Sequence, residues 1–316
     1  METLKDFLAK YEIDQTHSLD QKNFGSVYKG INRVDDAVCA IKTIETHPRF
    51  DQNLFLERYT KAQELHHDNL LSYHAAHRFV DGMVTNVVVM PFLSRGSLDG
   101  HWDLTLEQKK LISDQVLDGL YYLHEHGVVW QNLSARHILL DEDFGNDIPK
   151  FINYGNTRKI PLAFFADYEY LAPEQFDANA PLDVRSDIWA YGVLLYYLWA
   201  GRLPFGEKSA SLPNSKIQER ILGTWEPGLL SKIPEPYQTI VEKCLKRKKE
   251  ARWKNCGEII VGIKNWQAPI TVVTSDEEQE AATADRKILR RPNKPVVWWQ
   301  VVLLFLLAAV LGSLLG

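Results

Sequence analysis

Apolar positions change their spacing along this chain, and the changes divide it into parts. Residues 38–41, V-C-A-I, form a short apolar run closed by Lys42, and residues 84–90, V-T-N-V-V-V-M, form another before Pro91. Runs of this length and composition, bounded by proline and glycine, predict buried strands. From Thr105 the spacing turns helical. Ile112, Val116, Leu120 and Leu123 fall on one face, Thr105 and Gln108 make a capping box, and Gly127 supplies a stop. Residues 186–199, S-D-I-W-A-Y-G-V-L-L-Y-Y-L-W, are apolar on nearly every side up to Gly201, which predicts a helix surrounded by protein. A short helix around Leu4, Phe7 and Leu8 is expected ahead of the first strand. Strands first and helices afterwards give an α+β architecture.

After Trp266 the core periodicity stops. Residues 274–285, T-S-D-E-E-Q-E-A-A-T-A-D, are polar and acidic, residues 286–295 are basic, and the whole of 267–295 reads as a disordered linker. Residues 296–315 carry no charge and begin with Trp298 and Trp299 near one edge. About 20 apolar residues cross a bilayer core, and aromatics gather at its interfaces, so 296–316 is expected to be one transmembrane helix. Arg286, Lys287, Arg290, Arg291 and Lys294 all precede it, which by the positive-inside rule leaves the folded part in the cytosol. The expected protein is single-pass and tail-anchored.

Composition adds limits. At 316 residues there is room for two lobes with buried cores, and the formal charge of −5 argues against nucleic acid as the main partner. Cys39, Cys244 and Cys256 have neither paired nor metal-ligand spacing, which suits reduced thiols. The first ten residues, M-E-T-L-K-D-F-L-A-K, have no uninterrupted apolar stretch and so do not read as a secretory signal.

The candidate chemistry lies in a series of short motifs. In order they are L-D-Q-K-N-F-G-S-V-Y-K-G from Leu19, V-C-A-I-K ending at Lys42, P-F-L-S-R-G-S-L from Pro91, V-V-W-Q-N-L-S-A-R-H-I-L-L from Val128, Asn153-Tyr154-Gly155, Ala172-Pro173-Glu174, and S-D-I-W-A-Y-G from Ser186. Near the end comes C-L-K-R-K-K-E-A-R-W, with Arg252. Order and spacing resemble the protein kinase family over residues 11–266, with a small β-rich lobe over about 11–90 and a larger helical lobe over about 91–266. Residues 1–10 stand ahead of the resemblance as an extension without a motif.

That resemblance implies a nucleotide pocket built by Leu19, Gly25, Val27, Ala40, Lys42, Met90, Leu93 and Leu139. Met90 corresponds to the gatekeeper and Lys42 to the lysine that bridges the α and β phosphates. It implies structural roles for Glu174, Asp187 and Arg252: Arg252 pairs with Glu174, and Asp187 ties down the catalytic-loop backbone. The departures fall on the chemistry. Asn132 stands at the catalytic Asp of H-R-D, His137 at the magnesium-holding Asn of the same loop, and Asn153 at the metal-binding Asp of D-F-G. Trp130 and Gln131 replace the His and Arg of H-R-D. Only Gly25 remains of three loop glycines, with Asp20 and Lys22 at the other two places. Counting back from His67-Asp68-Asn69 puts Arg58 where a helix glutamate should pair with Lys42, with Glu57 one residue off.

An amide cannot take a proton from a hydroxyl, and losing a positioned base typically costs about 10² to 10⁴ in rate. A neutral amide and an imidazole make a poor set for the hard, oxygen-seeking magnesium ion. The expectation is therefore a pseudokinase: a membrane-held scaffold acting on a protein partner, with ATP as its ligand, held without magnesium, and with no metal site. The alternative is an active protein kinase of atypical site, with Glu142, Asp143 or Asp147 as a relocated metal ligand. A kinase-fold enzyme moving some other group, such as a nucleotide, is a third class.

Overall fold

The computed structural model describes residues 3–266 apart from 23–24, 45–51, 82, 102, 144–145, 156–159, 161, 163–166 and 225. Residues 267–316, with the expected linker and membrane span, lie outside the described residues. Among those described, no helix is long and apolar enough to cross a membrane.

Five antiparallel strands form the first sheet: β1 (Tyr11–Lys22), β2 (Gly25–Asn32), β3 (Ala37–Ile44), β4 (Ala75–Asp81) and β5 (Met83–Pro91), in the order β1-β2-β3-β5-β4. Both faces of this sheet are covered. On one face Ala40, Ile44, Val88 and Met90 join Tyr59 and Ala62 of helix α2 (Gln52–Gln63) in the main core. On the other, Cys39, Ile41, Val87 and Val89 pack with Phe79 and with Phe7 of helix α1 (Leu4–Lys10). Successive strand residues point to opposite faces, so burial on both sides explains why V-V-V-M runs without polar alternation. Helix α1 is capped by Thr3 and Asp6, and its Phe7 is fully buried against Tyr11 and Phe79. Phe7 thus joins the second core from ahead of the first strand.

The larger part is helical. Helix α3 (Leu106–Glu125) starts at the expected Thr105–Gln108 capping box, and Ile112, Val116, Leu120 and Leu123 are all fully buried. Helix α4 (Val184–Ala200) is buried from Ser186 to Leu198 and ends at Gly201, whose φ of 71° is the left-handed conformation glycine tolerates. Helix α5 (Asn214–Leu222) packs against the short turns Tyr168–Tyr170 and Pro173–Phe176, α6 (Tyr237–Cys244) on α4, and α7 (Cys256–Asn265) on α3. A hairpin of β6 (Ile138–Asp143) and β7 (Asn146–Phe151) follows α3. Backbone hydrogen bonds sew this hairpin to 69–71 and to 96–98, from Phe151 to Asn69, Leu71 to Phe151 and Leu98 to Ile138.

Asp147, one of the candidate relocated metal ligands, has a buried carboxylate held by Arg95 Nε at 2.6 Å and Nη2 at 3.1 Å and by Gln108 Nε2 at 3.2 Å. A carboxylate engaged in this way by a guanidinium fork serves the junction of hairpin, connector and α3, and does not suit a metal.

Candidate functional site

The loop after α3 is held from below by one carboxylate. Asp187, fully buried at the start of α4, accepts hydrogen bonds from the backbone N–H groups of Trp130 and Gln131, both at 2.7 Å, and from His124 Nε2 at 3.0 Å. Since a carboxylate only accepts, His124 Nε2 carries a proton, leaving Nδ1 to face the Cys256 thiol at 3.4 Å. Burial pushes that thiol's pKa well up, so it stays protonated. Trp130 is buried and stacks on Phe151 at 4.5 Å, filling the space beneath the loop with apolar surface. Gln131 has a φ of 63°, its side-chain oxygen accepts from the Ile160 N–H, and its carbonyl accepts from Gln175 Nε2.

Above this base lie the substituted positions. His137 closes the 3-10 turn Ala135–His137, and its Nδ1 is 2.8 Å from the Asn132 carbonyl. A carbonyl cannot donate, so Nδ1 carries the proton and the ring's tautomer is set by the loop itself. Asn153 follows β7 with a φ of 60°, a left-handed conformation that asparagine accepts more readily than most residues. Its N–H donates to the Tyr73 hydroxyl at 2.8 Å, and its Oδ1 accepts from Lys42 Nζ at 2.9 Å. An ammonium can face only the oxygen end of an amide, which fixes the orientation of Asn153.

Lys42 thus meets Asn153 across 111 residues of sequence. The other implied pocket residues divide. Ala40 and Met90 are buried in the main core, Ala40 opposite Met90 in register, and Val27, Leu93 and Leu139 pack against the same core. Leu19 does not join them: it is 49% exposed and lies where the β1–β2 register shifts. Gly25 pairs with Lys22 and Ile44, and a Cβ there would collide with the Thr43 carbonyl. Its glycine is needed by the neighbouring strand whether or not phosphate is present. The side chains of Asp20 and Lys22 lie outside the described residues, as does that of Asp143; Glu142 is exposed at the hairpin end.

Arg252 is buried and meets Glu174 through two hydrogen bonds of 2.7 and 2.8 Å. Burial alone would raise the Glu174 pKa, but the hydrogen bonds and charge of Arg252 outweigh it and hold the carboxyl below its usual range.

Two residues show more than the sequence suggested. Asp167 is buried 2.7 Å from Ser134 Oγ and 3.3 Å from Arg136 Nη1, and Ser134 Oγ lies 3.3 Å from His137 Nδ1. A carboxylate thus reaches the loop from a segment 31 residues away from Arg136, where the motif alone offers none. Arg58, on α2, has its Nε buried with no hydrogen-bond partner, and Tyr59 and Tyr73 are its electrostatic neighbours. Burial pushes its pKa down. At the family's two metal-holding positions stand the Asn153 amide oxygen, already accepting from an ammonium, and the His137 imidazole. These residues do not fit magnesium, which takes hard and preferably anionic oxygens. Among the described residues, no three His, Cys, Asp or Glu side chains converge on a metal site.

The protein kinase domain profile matches residues 14–260, most of the chain. The chain belongs to the protein kinase domain family. It is 27% identical to the tyrosine-protein kinase SRK3 of Spongilla lacustris over 259 residues, covering 77% of this chain and 75% of that one. It is also 27% identical to the probable serine/threonine-protein kinase PBL21 of Arabidopsis thaliana over 318 residues, covering 89% and 79%. A titin homolog of Caenorhabditis elegans is 27% identical over 213 residues, 63% of this chain, but the chain spans only 1% of that protein. The fold is thus the two-lobed kinase fold, and kinases of both the tyrosine and the serine/threonine type are among its relatives.

Proposed function

We propose that this family member is a pseudokinase, held to a membrane by residues 296–316, that works by binding a protein partner in the cytosol and is switched by nucleotide held through Lys42. The observation that carries the reading is the Lys42–Asn153 hydrogen bond of 2.9 Å. In a kinase the corresponding position supplies a carboxylate to magnesium, and the metal neutralises charge on the transferred phosphoryl group. Here a neutral amide takes its place and is engaged by the lysine. Asn132 supplies no base, and the residues that secure the fold, Glu174, Asp187 and Arg252, are intact.

Transfer of the γ-phosphate from ATP to protein substrates, with magnesium or manganese and the full chain in detergent, tests the catalytic half. The expected result is no transfer above that of Lys42→Ala. Transfer that disappears in Lys42→Ala overturns the reading. Co-purification from detergent-solubilised membranes identifies the partner.

Asp167 favours a second reading, an active kinase whose carboxylate has moved to the segment before Ala172-Pro173-Glu174. Its two oxygens already accept from Ser134 and Arg136, which weighs against it as a base. Under that reading Asp167→Asn abolishes transfer; under ours there is none to abolish.

A further inference from the structure

The end of β7 and the Asn153-Tyr154-Gly155 segment are fastened to the connection that follows α2. The Phe151 N–H donates to the Asn69 carbonyl at 2.7 Å, and the Leu71 N–H donates to the Phe151 carbonyl at 3.1 Å. Two phenols extend this ladder past the end of the strand. The Tyr154 hydroxyl donates to the Leu71 carbonyl at 2.7 Å, and the Tyr73 hydroxyl accepts from the Asn153 N–H at 2.8 Å. Both rings are buried, so each hydroxyl serves a main-chain group that lies away from water. A phenylalanine at 154 would fill the same space and leave the Leu71 carbonyl without this donor. The hydroxyl, beyond the ring, therefore sets where the segment lies.

The same segment meets α2. A Cβ on Gly155, at φ 85°, would be 2.6 Å from the Arg58 carbonyl and 3.3 Å from the Ala62 Cβ, so the two backbones touch with no side chain between them. Tyr73 joins both: it is edge to face with Tyr59 of α2 at 4.8 Å and tilted against Tyr154 at 5.7 Å. Tyr59, Ala62, Tyr73 and Tyr154 all belong to the main core. Burial pushes the phenol pKa of Tyr73 and of Tyr154 up, so both keep their protons.

We propose that the hydroxyls of Tyr73 and Tyr154 are a lock that holds α2, the 69–73 connection and residues 151–155 together as one unit, closed by the chain itself with no ligand bound. The inference is independent of the nucleotide reading. It makes the α2 face that a partner meets the same with and without nucleotide, so a nucleotide switch works through another element.

Amide hydrogen exchange of the full chain in detergent, followed over 52–63, 69–73 and 150–155, tests it. Tyr154→Phe keeps the ring and is expected to speed exchange in all three stretches together, by about tenfold, since a buried carbonyl loses its donor and local opening becomes easier. Tyr73→Phe should do the same. Exchange in α4 should not change in either variant, which separates release of this unit from general loss of stability. Tyr191→Phe removes another buried hydroxyl, one that donates to the Ser113 carbonyl at 3.1 Å, and should leave the three stretches as they were. ATP, with or without magnesium, should leave exchange in α2 of the unaltered chain unchanged. The proposal is overturned if Tyr154→Phe leaves α2 unchanged, if it speeds α4 as much as the three stretches, if Tyr191→Phe speeds them equally, or if ATP slows exchange in α2.

Discussion

Asp187 shows how single residues divide between scaffold and chemistry. Its carboxylate serves two backbone N–H groups and one imidazole, all buried, so removing it leaves donors that cannot reach water. Asp187→Ala is expected to lower stability by about 3–5 kcal/mol, as for breaking a buried charged network, read by urea denaturation of the full chain in detergent. Glu174 gives a pH dependence. Its folded pKa is depressed, so the Arg252 pair stabilises fully above the usual glutamate pKa and is lost as pH falls through the lower, folded value. The difference in stability between the unaltered chain and Glu174→Gln should therefore be large at pH 7 and shrink progressively below about pH 4.5. A difference that grows in acid contradicts the assignment. Both residues were legible in the sequence because each belongs to a motif with fixed spacing. Asp147 and Asp167 were not legible as buried, since the groups that hold them, Arg95 and Gln108 for one and Ser134 and Arg136 for the other, come from distant segments.

At the scale of elements, the strands and helices of both lobes follow from the apolar spacing, but two packing relations do not. Helix α1 is short and carries one buried aromatic, so nothing in its pattern announces that Phe7 closes a second core. Phe7→Ala should cost about 3–5 kcal/mol, the range for a fully buried phenylalanine, and lower the melting temperature without altering nucleotide response. The second relation is the approach of Gly155 to α2. Gly155→Ala would force a Cβ onto the Arg58 carbonyl and onto a left-handed backbone, so it should increase amide hydrogen exchange in both α2 and the 150–155 segment. Exchange confined to one of the two would mean that they do not move together. Gly25→Ala should destabilise the chain equally with and without ATP, because the collision is with Thr43 of the neighbouring strand.

For the molecule as a whole, the kinase fold was readable from motif order, and the substitutions at the metal and base positions, Asn132, His137 and Asn153, were readable beside those at 20, 22, 58, 130 and 131. Structure adds the reason those changes act together: the amide that would face the metal faces Lys42, and the imidazole is tied to the loop carbonyl. The proposed anchor is tested separately. The full chain should resist carbonate extraction from membranes, and a chain ending before residue 296 should be released. The central claim is that this cleft holds no catalytic divalent ion. Electron paramagnetic resonance of Mn²⁺ titrated with ATP and the full chain examines it directly. The account predicts only the spectra of free and ATP-bound manganese in solution, at every protein concentration. An immobilised, protein-bound manganese signal that requires ATP and is lost in His137→Ala or Asn153→Ala would contradict it.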